Sequence, residues 1–270
     1  MLYFSNAKIN IGLNVVAKRT DGYHNLESVF YPIPLQDALE FVPAKKTQIT
    51  NSGISIDCDD DDNLILRAFR CLQKDFQLPE LAFHIFKKIP FGAGLGGGSS
   101  NAAATLLALN EYFELKISTE KLIEYATKIG SDCAFFIENK PALATGKGDI
   151  LSLCKIELSD YFLLLIRPDF GVSTPLAYSK LKPRKPDHAL NELIQNDIVN
   201  WKTTVKNDFE NAVFEMHPVL ASIKNSMYEK GAVYAAMSGS GSAIYGLFKD
   251  EVKNTDFPQY WSWGNYLKFE

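Results

Sequence analysis

The feature that most constrains this chain is a clash of propensities. Residues 90–110 read PFGAGLGGGSSNAAATLLALN, with five glycines among residues 92–98 and an alanine-rich run directly behind them. Glycine is among the poorest helix formers and alanine is the best. Ala102, Leu106, Leu109 and Phe113 fall at helical spacing, so a helix is expected to start just after the glycines. Upstream, Leu81, Phe83, Ile85 and Ile89 of LAFHIFKKI keep the period of a strand. A strand, a glycine loop and a helix start in succession make an anion site. The first helical N–H groups have no intrahelical acceptor, and the helix dipole adds positive potential there. Glycine lets the backbone approach a phosphate without a Cβ clash, and Ser99 and Ser100 add hydroxyl donors. The gap before the helix is therefore expected to hold phosphates.

Two common phosphate loops do not fit. Gly92, Gly94 and Gly97 satisfy GxGxxG, but a dinucleotide fold needs a strand after the helix, with an acid about 20 residues on. Here STEKLIEYATKIG reads as a second helix, with Ser118 as its N-cap and Gly130 as its C-cap. Its apolar stripe is Leu122, Ile123, Ala126 and Ile129. The Walker loop needs a lysine that these residues lack, and the protein-kinase catalytic signatures are absent.

At the start of the chain, Ala7, Ile9, Ile11, Leu13 and Val15 alternate with Asn6, Lys8, Asn10, Gly12 and Asn14. This predicts a strand with one buried face and one polar, solvated face. TDGYHN carries a turn signal, and LESVFYPIPLQDALEFVP continues in strand character. DCDDDDNLILRAFRCLQKDF reads as an acidic loop and then a helix capped by Asp62 or Asn63. Beyond residue 152, YFLLLIRP is a short buried strand, and Ser173 or Thr174 before Pro175 starts a helix. LKPRKPDHA is a loop, a helical region follows to about Lys230, and GAVYAAMSGSGSAIYGLF reads as strand, turn, strand. An α+β chain of two lobes is expected, 1–155 and 156–270.

Composition narrows the function. A formal net charge of −4 argues against binding nucleic acid through its backbone, without excluding a local basic pocket. Cys58, Cys71, Cys133 and Cys154 form no CxxC pair, so neither a zinc site nor a disulfide framework is indicated. MLYFSNAKIN lacks a secretory leader's pattern, and apolar runs such as residues 162–166 fall far short of the roughly 18 needed to span a bilayer. A cytoplasmic protein with no membrane partner is expected. The run DCDDDD tempts a calcium reading through Asp57, Asp59 and Asp61. However, loop position six is Asp62 and position twelve is Ala68, so a solvated acidic loop is expected.

NAKINIGLNVVAKRTDGYHNLESVF, PFGAGLGGGSSNAA and MSGSGSAIYGLF, in this order, resemble the galactokinase, homoserine kinase, mevalonate kinase and phosphomevalonate kinase (GHMP) superfamily, and the resemblance covers most of the chain. The resemblance is nearest to the branch that phosphorylates 4-diphosphocytidyl-2-C-methyl-D-erythritol, in the non-mevalonate route to isoprenoid precursors. It implies an N-terminal ATP-binding lobe like ribosomal protein S5 domain 2 and a ferredoxin-like C-terminal lobe. A sibling small-alcohol kinase and a silent nucleotide-binding relative are the alternatives.

Residue roles follow from the same resemblance. Pattern alone makes Lys8 a solvated strand lysine and Asp132 a helix cap, whereas the resemblance makes them the catalytic pair. The family often has proline two residues after that aspartate, and here Ala134 stands there. The ATP loop would comprise Pro90, Phe91, Gly92, Ala93, Gly94 and Leu95, then Gly96, Gly97, Gly98, Ser99 and Ser100. Asn63 and Leu64 match residues near the adenine, and Lys87 one near the phosphates. Tyr23 and Tyr178 match an aromatic pair that sandwiches the cytosine of a substrate with a cytidine diphosphate moiety, and His24 its hydrogen-bonding partner. Asn10, Thr174, Gly239 and Gly241 complete the substrate side. ATP and Mg2+ are implied, with Ser99 and Ser100 as candidate metal ligands. No full metal ligand set and no oligomeric state is assigned.

Overall fold

The computed structural model describes residues 1–55, 59 and 61–269. In chain order the strands are β1 (Leu2–Lys18), β2 (His24–Pro43), β3 (Gln48–Gly53), β4 (Leu81–Lys87), β5 (Ala142–Thr145), β6 (Ile150–Leu153), β7 (Phe162–Arg167), β8 (Tyr234–Met237), β9 (Ile244–Phe248) and β10 (Trp261–Tyr266). The helices are α1 (Leu64–Phe76), α2 (Gly97–Tyr112), α3 (Thr119–Ile129), α4 (Phe135–Glu138), α5 (Thr174–Ser179), α6 (Leu190–Leu193), α7 (Trp201–Thr204), α8 (Phe209–Met216) and α9 (Pro218–Glu229). A 3-10 turn, Ile198–Asn200, precedes α7.

The chain forms two compact units that interleave in sequence. The first holds Met1–Ala7, Leu35–Phe91 and Gly96–Lys140; the second holds Lys8–Pro34, Gly92–Leu95 and Pro141–Glu270. β1, β2 and the glycine loop each contribute to both.

In the first unit, β3 runs parallel to β4, which pairs antiparallel with the second half of β2. Parallel neighbours need a crossover, and α1 supplies it. The side chain of Asn63 accepts from the Ile65 N–H at 3.0 Å and caps α1, as one of the two expected candidates. Phe69 of α1 meets Phe83 of β4 edge to face at 5.3 Å. Full burial of such a side chain contributes about 1.5–3 kcal/mol. Helix α2 begins at Gly97, so the last two glycines of the loop form its first turn instead of preceding it. Ser118 caps α3 as expected. Gly130 ends α3 with φ −173°, an extended backbone, so its place there does not rest on a left-handed cap.

In the second unit, β10, β7, β9 and β8 form an antiparallel sheet in that spatial order. Numbered within the sheet this is 4-1-3-2, the ferredoxin-like strand order. The expected strand–turn–strand over 231–248 is present as β8 and β9, and the expected buried strand YFLLLIRP as β7. No helix joins β9 to β10. Leu164 and Ile166 of β7 share a core with Val213 of α8, and with Leu220 and Ile223 of α9.

The solvated face expected for β1 is absent. Asn6 is 6% exposed, and Lys8 and Asn10 are each 3% exposed, so residues 5–13 are buried on both faces. Alternation reveals where the polar side chains point, not what covers them. In the acidic segment, Asp57 and Cys58 lie outside the described residues. Asp61 pairs with Arg70 at 2.8 Å, and Ala68 is buried in α1. Cys71, Cys133 and Cys154 are free thiols. Among the described residues, no helix is long and apolar enough to cross a membrane.

Candidate active site

The glycine loop changes allegiance midway. Three successive carbonyls in its first half are tied within the second unit. Ala93 O accepts from the Ala243 N–H at 3.1 Å, Gly94 O from Ser238 Oγ at 2.8 Å, and Leu95 O from the Lys8 N–H at 3.0 Å. A Cβ on Gly94 would stand 2.0 Å from Ser238 O, and φ there is +77°. Only glycine permits that approach. Gly92, Gly94 and Gly96 have positive φ while Ala93 and Leu95 do not, the kind of alternation from which anion-binding backbone nests are built. The second half of the loop opens α2 in the first unit. A Cβ on Gly97 would meet Ile89 Cγ2 at 2.8 Å and Lys87 Nζ at 3.3 Å, so helix and strand are packed as closely as glycine allows. Ser99 shares a side-chain hydrogen bond with Cys133, whose thiol is pushed up to about 11, mainly by burial.

Within the first unit, Asn63, Leu64, Lys87, Phe91, Gly98 and Asn101 are among the residues lining a cavity of about 400 Å³. The expected adenine and phosphate residues therefore meet in one place. Phe91 is 61% exposed at its rim. Lys87 is more deeply held than its expected role required: its Nζ forms an ion pair with Asp37, which is 0% exposed, and also reaches Asn101 Oδ1 at 2.9 Å. Asp37 additionally accepts from Asn101 Nδ2 and from the Lys88 and Ile89 N–H groups at 2.8–2.9 Å. Burial holds the Lys87 ammonium below the usual lysine range, with Asp37 opposing that shift.

Sequence reasoning missed Asp37 and Asn101, although a signal existed for the first. Val29, Tyr31, Ile33, Leu35, Leu39 and Phe41 are the buried odd row of β2, and Asp37 sits inside that row. Leu81, Phe83 and Ile85 form the matching row of β4, and Lys87 ends it. Opposite charges interrupting two adjacent core-facing rows mark a buried pair.

Asp132 also belongs to the first unit, half-buried in the turn before α4. Ser131 Oγ lies 3.5 Å from its Oδ1. Ala134 has φ −60° and ψ −34°, close to the φ that proline would impose, so its departure from the family pattern leaves the turn geometry intact.

The second unit carries the other candidates. Lys8 Nζ donates to Asn10 Oδ1 and lies 4.5 Å above the Phe30 ring. Asn10 Nδ2 donates to Ser28 Oγ at 2.7 Å, so its carboxamide is engaged at both ends. Tyr23, His24, Thr174 and Tyr178 line a cavity of about 510 Å³, with Lys18 and Lys147 among its other walls. Here the face of Tyr178 is stacked on His24, with ring centroids 4.7 Å apart and planes 15° apart, while Tyr23 lies under Lys147. Burial and then Lys18 hold the His24 imidazole below its ordinary range, which favours the neutral ring. Thr174 bonds Ser240 at 2.8 Å. Gly239 and Gly241 have φ +56° and +92°, and a Cβ on Gly239 would lie 3.3 Å from Asn10 Oδ1.

Residues 63–140 match the sequence model of the GHMP kinases N terminal domain, and residues 188–261 that of the GHMP kinases C terminal domain. The chain belongs to the GHMP kinases. This GHMP kinase is 51% identical over 259 residues, 94% of each chain, to a protein of Bacteroides fragilis named 4-diphosphocytidyl-2-C-methyl-D-erythritol kinase. A protein of the same name from Parabacteroides distasonis is 49% identical, over 92% of each chain. Among solved structures, a 4-(cytidine 5'-diphospho)-2C-methyl-D-erythritol kinase aligns with TM-score 0.80 at 29% identity, over 98% of each chain. A homoserine kinase from Cytophaga hutchinsonii shares the fold, with TM-score 0.65 at 17% identity over 93% of this chain and 86% of that one.

Proposed function

We propose that this GHMP kinase transfers the γ-phosphoryl group of ATP to the 2-hydroxyl of 4-diphosphocytidyl-2-C-methyl-D-erythritol. The observation that carries the reading is 51% identity over 94% of both chains to a kinase named for that substrate. The cavity of Tyr23, His24 and Tyr178 supports it, because aromatic faces stack on any base while a neutral imidazole can both donate to and accept from a base edge. The cavity of Asn63, Leu64 and Lys87 takes the nucleotide in this reading, with the glycine loop around its phosphates. With the family models matching on either side of it, a domain boundary at 155/156 belongs to the same proposal.

An alcohol is a poor nucleophile while protonated. Asp132 accepts its proton as the phosphorus–oxygen bond forms, and ADP leaves with the electrons of the broken bond. Lys8, in the role the family resemblance gives it, meets the charge that develops in the transition state. A carboxylate with an ordinary pKa of about 3.9 is a weak base, so most of the acceleration comes from positioning and electrostatics. Magnesium, when bound with the nucleotide, would neutralise phosphate charge. Among the described residues, no group of three or more His, Cys, Asp or Glu is set to hold a metal. Ser99 and Ser100 are the candidate protein ligands of such an ion.

The test is a coupled ADP-release assay on the cytidyl substrate, with Asp132→Ala as control. Absence of wild-type turnover sinks the assignment. Faster turnover of homoserine or mevalonate replaces it with a sibling activity, and ATP binding by calorimetry without turnover of any alcohol marks a silent relative.

A further inference from the structure

We propose that Ser28 is the positioning residue of Lys8, acting through the carboxamide of Asn10. The inference rests on the reading of Lys8 as a catalytic lysine, and adds a residue to which that reading gives no part.

The polarity of the chain Gly12–Ser28–Asn10–Lys8 is forced by chemistry. Ser28 Oγ lies 2.7 Å from Gly12 O, which can only accept, so the one hydroxyl proton of Ser28 points there. Toward Asn10 the same oxygen must then accept, and the group facing it at 2.7 Å is the Asn10 NH₂. The Asn10 carboxamide is thereby oriented with its oxygen toward Lys8 Nζ, a group with three donors and no acceptor. All four residues belong to the second unit. Ser28 is 0% exposed, so no bulk water competes for its acceptor.

The backbone of Asn10 is held separately. Its N–H donates to Ser238 Oγ at 3.2 Å, and its carbonyl accepts from Tyr245 Oη at 2.8 Å. Those bonds fix where the Asn10 side chain starts but leave its terminal torsion undetermined. That torsion decides whether oxygen or NH₂ meets the lysine. Ser28 biases it from the far end. Gly12 explains why a serine hydroxyl is available: φ there is +65°, β1 departs from a regular ladder, and the carbonyl takes a side-chain donor.

Removing the Ser28 hydroxyl strands a buried NH₂ and releases the terminal torsion of Asn10, and any turn of the carboxamide takes its oxygen off the ammonium and brings NH₂ toward it. The result is a displaced Lys8 in a protein whose core volume has barely changed. A displacement of about 1 Å at a reacting group costs on the order of 100-fold in rate.

The experiment compares Ser28→Ala, Ser28→Cys and Ser28→Thr in the full chain, with ATP and the cytidyl substrate, beside Lys8→Met. Ser28→Ala and Ser28→Cys are expected to lower kcat by about 10- to 100-fold while both KM values stay within about threefold. Ser28→Thr keeps the hydroxyl and is expected to return kcat to within about threefold of wild type. Wild-type kcat in the Ala or Cys variant overturns the proposal. So does a Thr variant as slow as Ala, or a loss confined to KM. If Ser28→Ala does not fold, the Cys–Thr comparison decides, because Cys keeps the volume and loses most of the acceptor strength. If the wild type leaves the cytidyl substrate untouched, the substrate reading fails, and the same ratios on the alcohol it does phosphorylate decide the role of Ser28.

Discussion

Lys8 and Lys87 are equally buried, each 3% exposed, and sit in different chemistry. Lys87 is set against the carboxylate of Asp37, which also gathers Asn101 and two backbone N–H groups. The contacts of Lys8 include the amide oxygen of Asn10 and the face of Phe30, a dipole and a ring quadrupole. Lys87 has become part of the wall between strand β4 and helix α2. Lys8 is a positioned charge on a strand that carries other site candidates. Burial alone therefore does not reveal what a lysine is for; the partner does. Disturbing the first setting should appear in stability, and disturbing the second in turnover.

The sharpest way to break this contrast is to exchange the readouts. Lys8→Met and Asp132→Asn should each lower kcat by about 10²- to 10⁴-fold, with little change in Tm, measured by ADP release beside thermal unfolding. If Lys8→Met chiefly lowers Tm, the two lysines are alike and the contrast falls. On the other side, Asp37→Asn leaves the Lys87 charge uncompensated in the core and should cost about 3–5 kcal/mol in urea unfolding. Lys87→Met should cost less, because Asp37 keeps three N–H donors. Pairing the two substitutions should recover part of the loss of Asp37→Asn alone, a non-additivity that separates a structural pair from two independent side chains.

The contrast also shows where sequence reading ends. The cap at Asn63, the cap at Ser118, the strand of Lys8 and the strand–glycine loop–helix succession are local features, and local spacing reveals them. The partners that hold Asn10 of β1 are Ser28 on its side chain and Ser238 and Tyr245 on its backbone, the last 235 positions away, and period two carries no trace of them. Hence Lys8 read as solvated on pattern alone and needed a family resemblance to read as catalytic. Asp37 failed differently. It stands in a visible apolar row, but a single acid in a strand is ordinarily taken for an edge or surface residue until its partner Lys87, 50 positions on, is placed beside it. The two units interleave for the same reason: covalent neighbours such as Leu95 and Gly96 part company, and no compositional shift marks that point.

A smaller effect is expected at the aromatic cavity, where neither lysine is concerned. Tyr178→Ala removes a stacking face worth about 1–3 kcal/mol per base, so the KM for the cytidyl substrate should rise with kcat and the KM for ATP nearly unchanged. A fall in kcat instead would mean that Tyr178, which also packs edge to face on Phe209, acts through the fold and not on the base.

The smallest effect concerns pH, and its sign follows from His24. Burial first, and Lys18 second, hold its folded pKa below the ordinary 6.5. The neutral ring is therefore the native form, and the unfolded chain takes up this proton at a higher pH than the folded chain does. Between the folded pKa and 6.5 the unfolded state binds more protons, so this contribution to stability is present above 6.5 and is lost as pH falls. The substrate cavity should follow the same course. A neutral imidazole can both donate to and accept from a base edge, whereas imidazolium only donates. The KM for the cytidyl substrate is thus expected to be flat at and above pH 6.5 and to rise only as the pH falls through the folded His24 pKa, which lies below 6.5. His24→Gln, which keeps a donor and an acceptor without titrating, should flatten the acid side while leaving the KM for ATP alone. If the rise survives in His24→Gln, the titrating group lies elsewhere, and the stacked His24–Tyr178 pair is packing, not recognition.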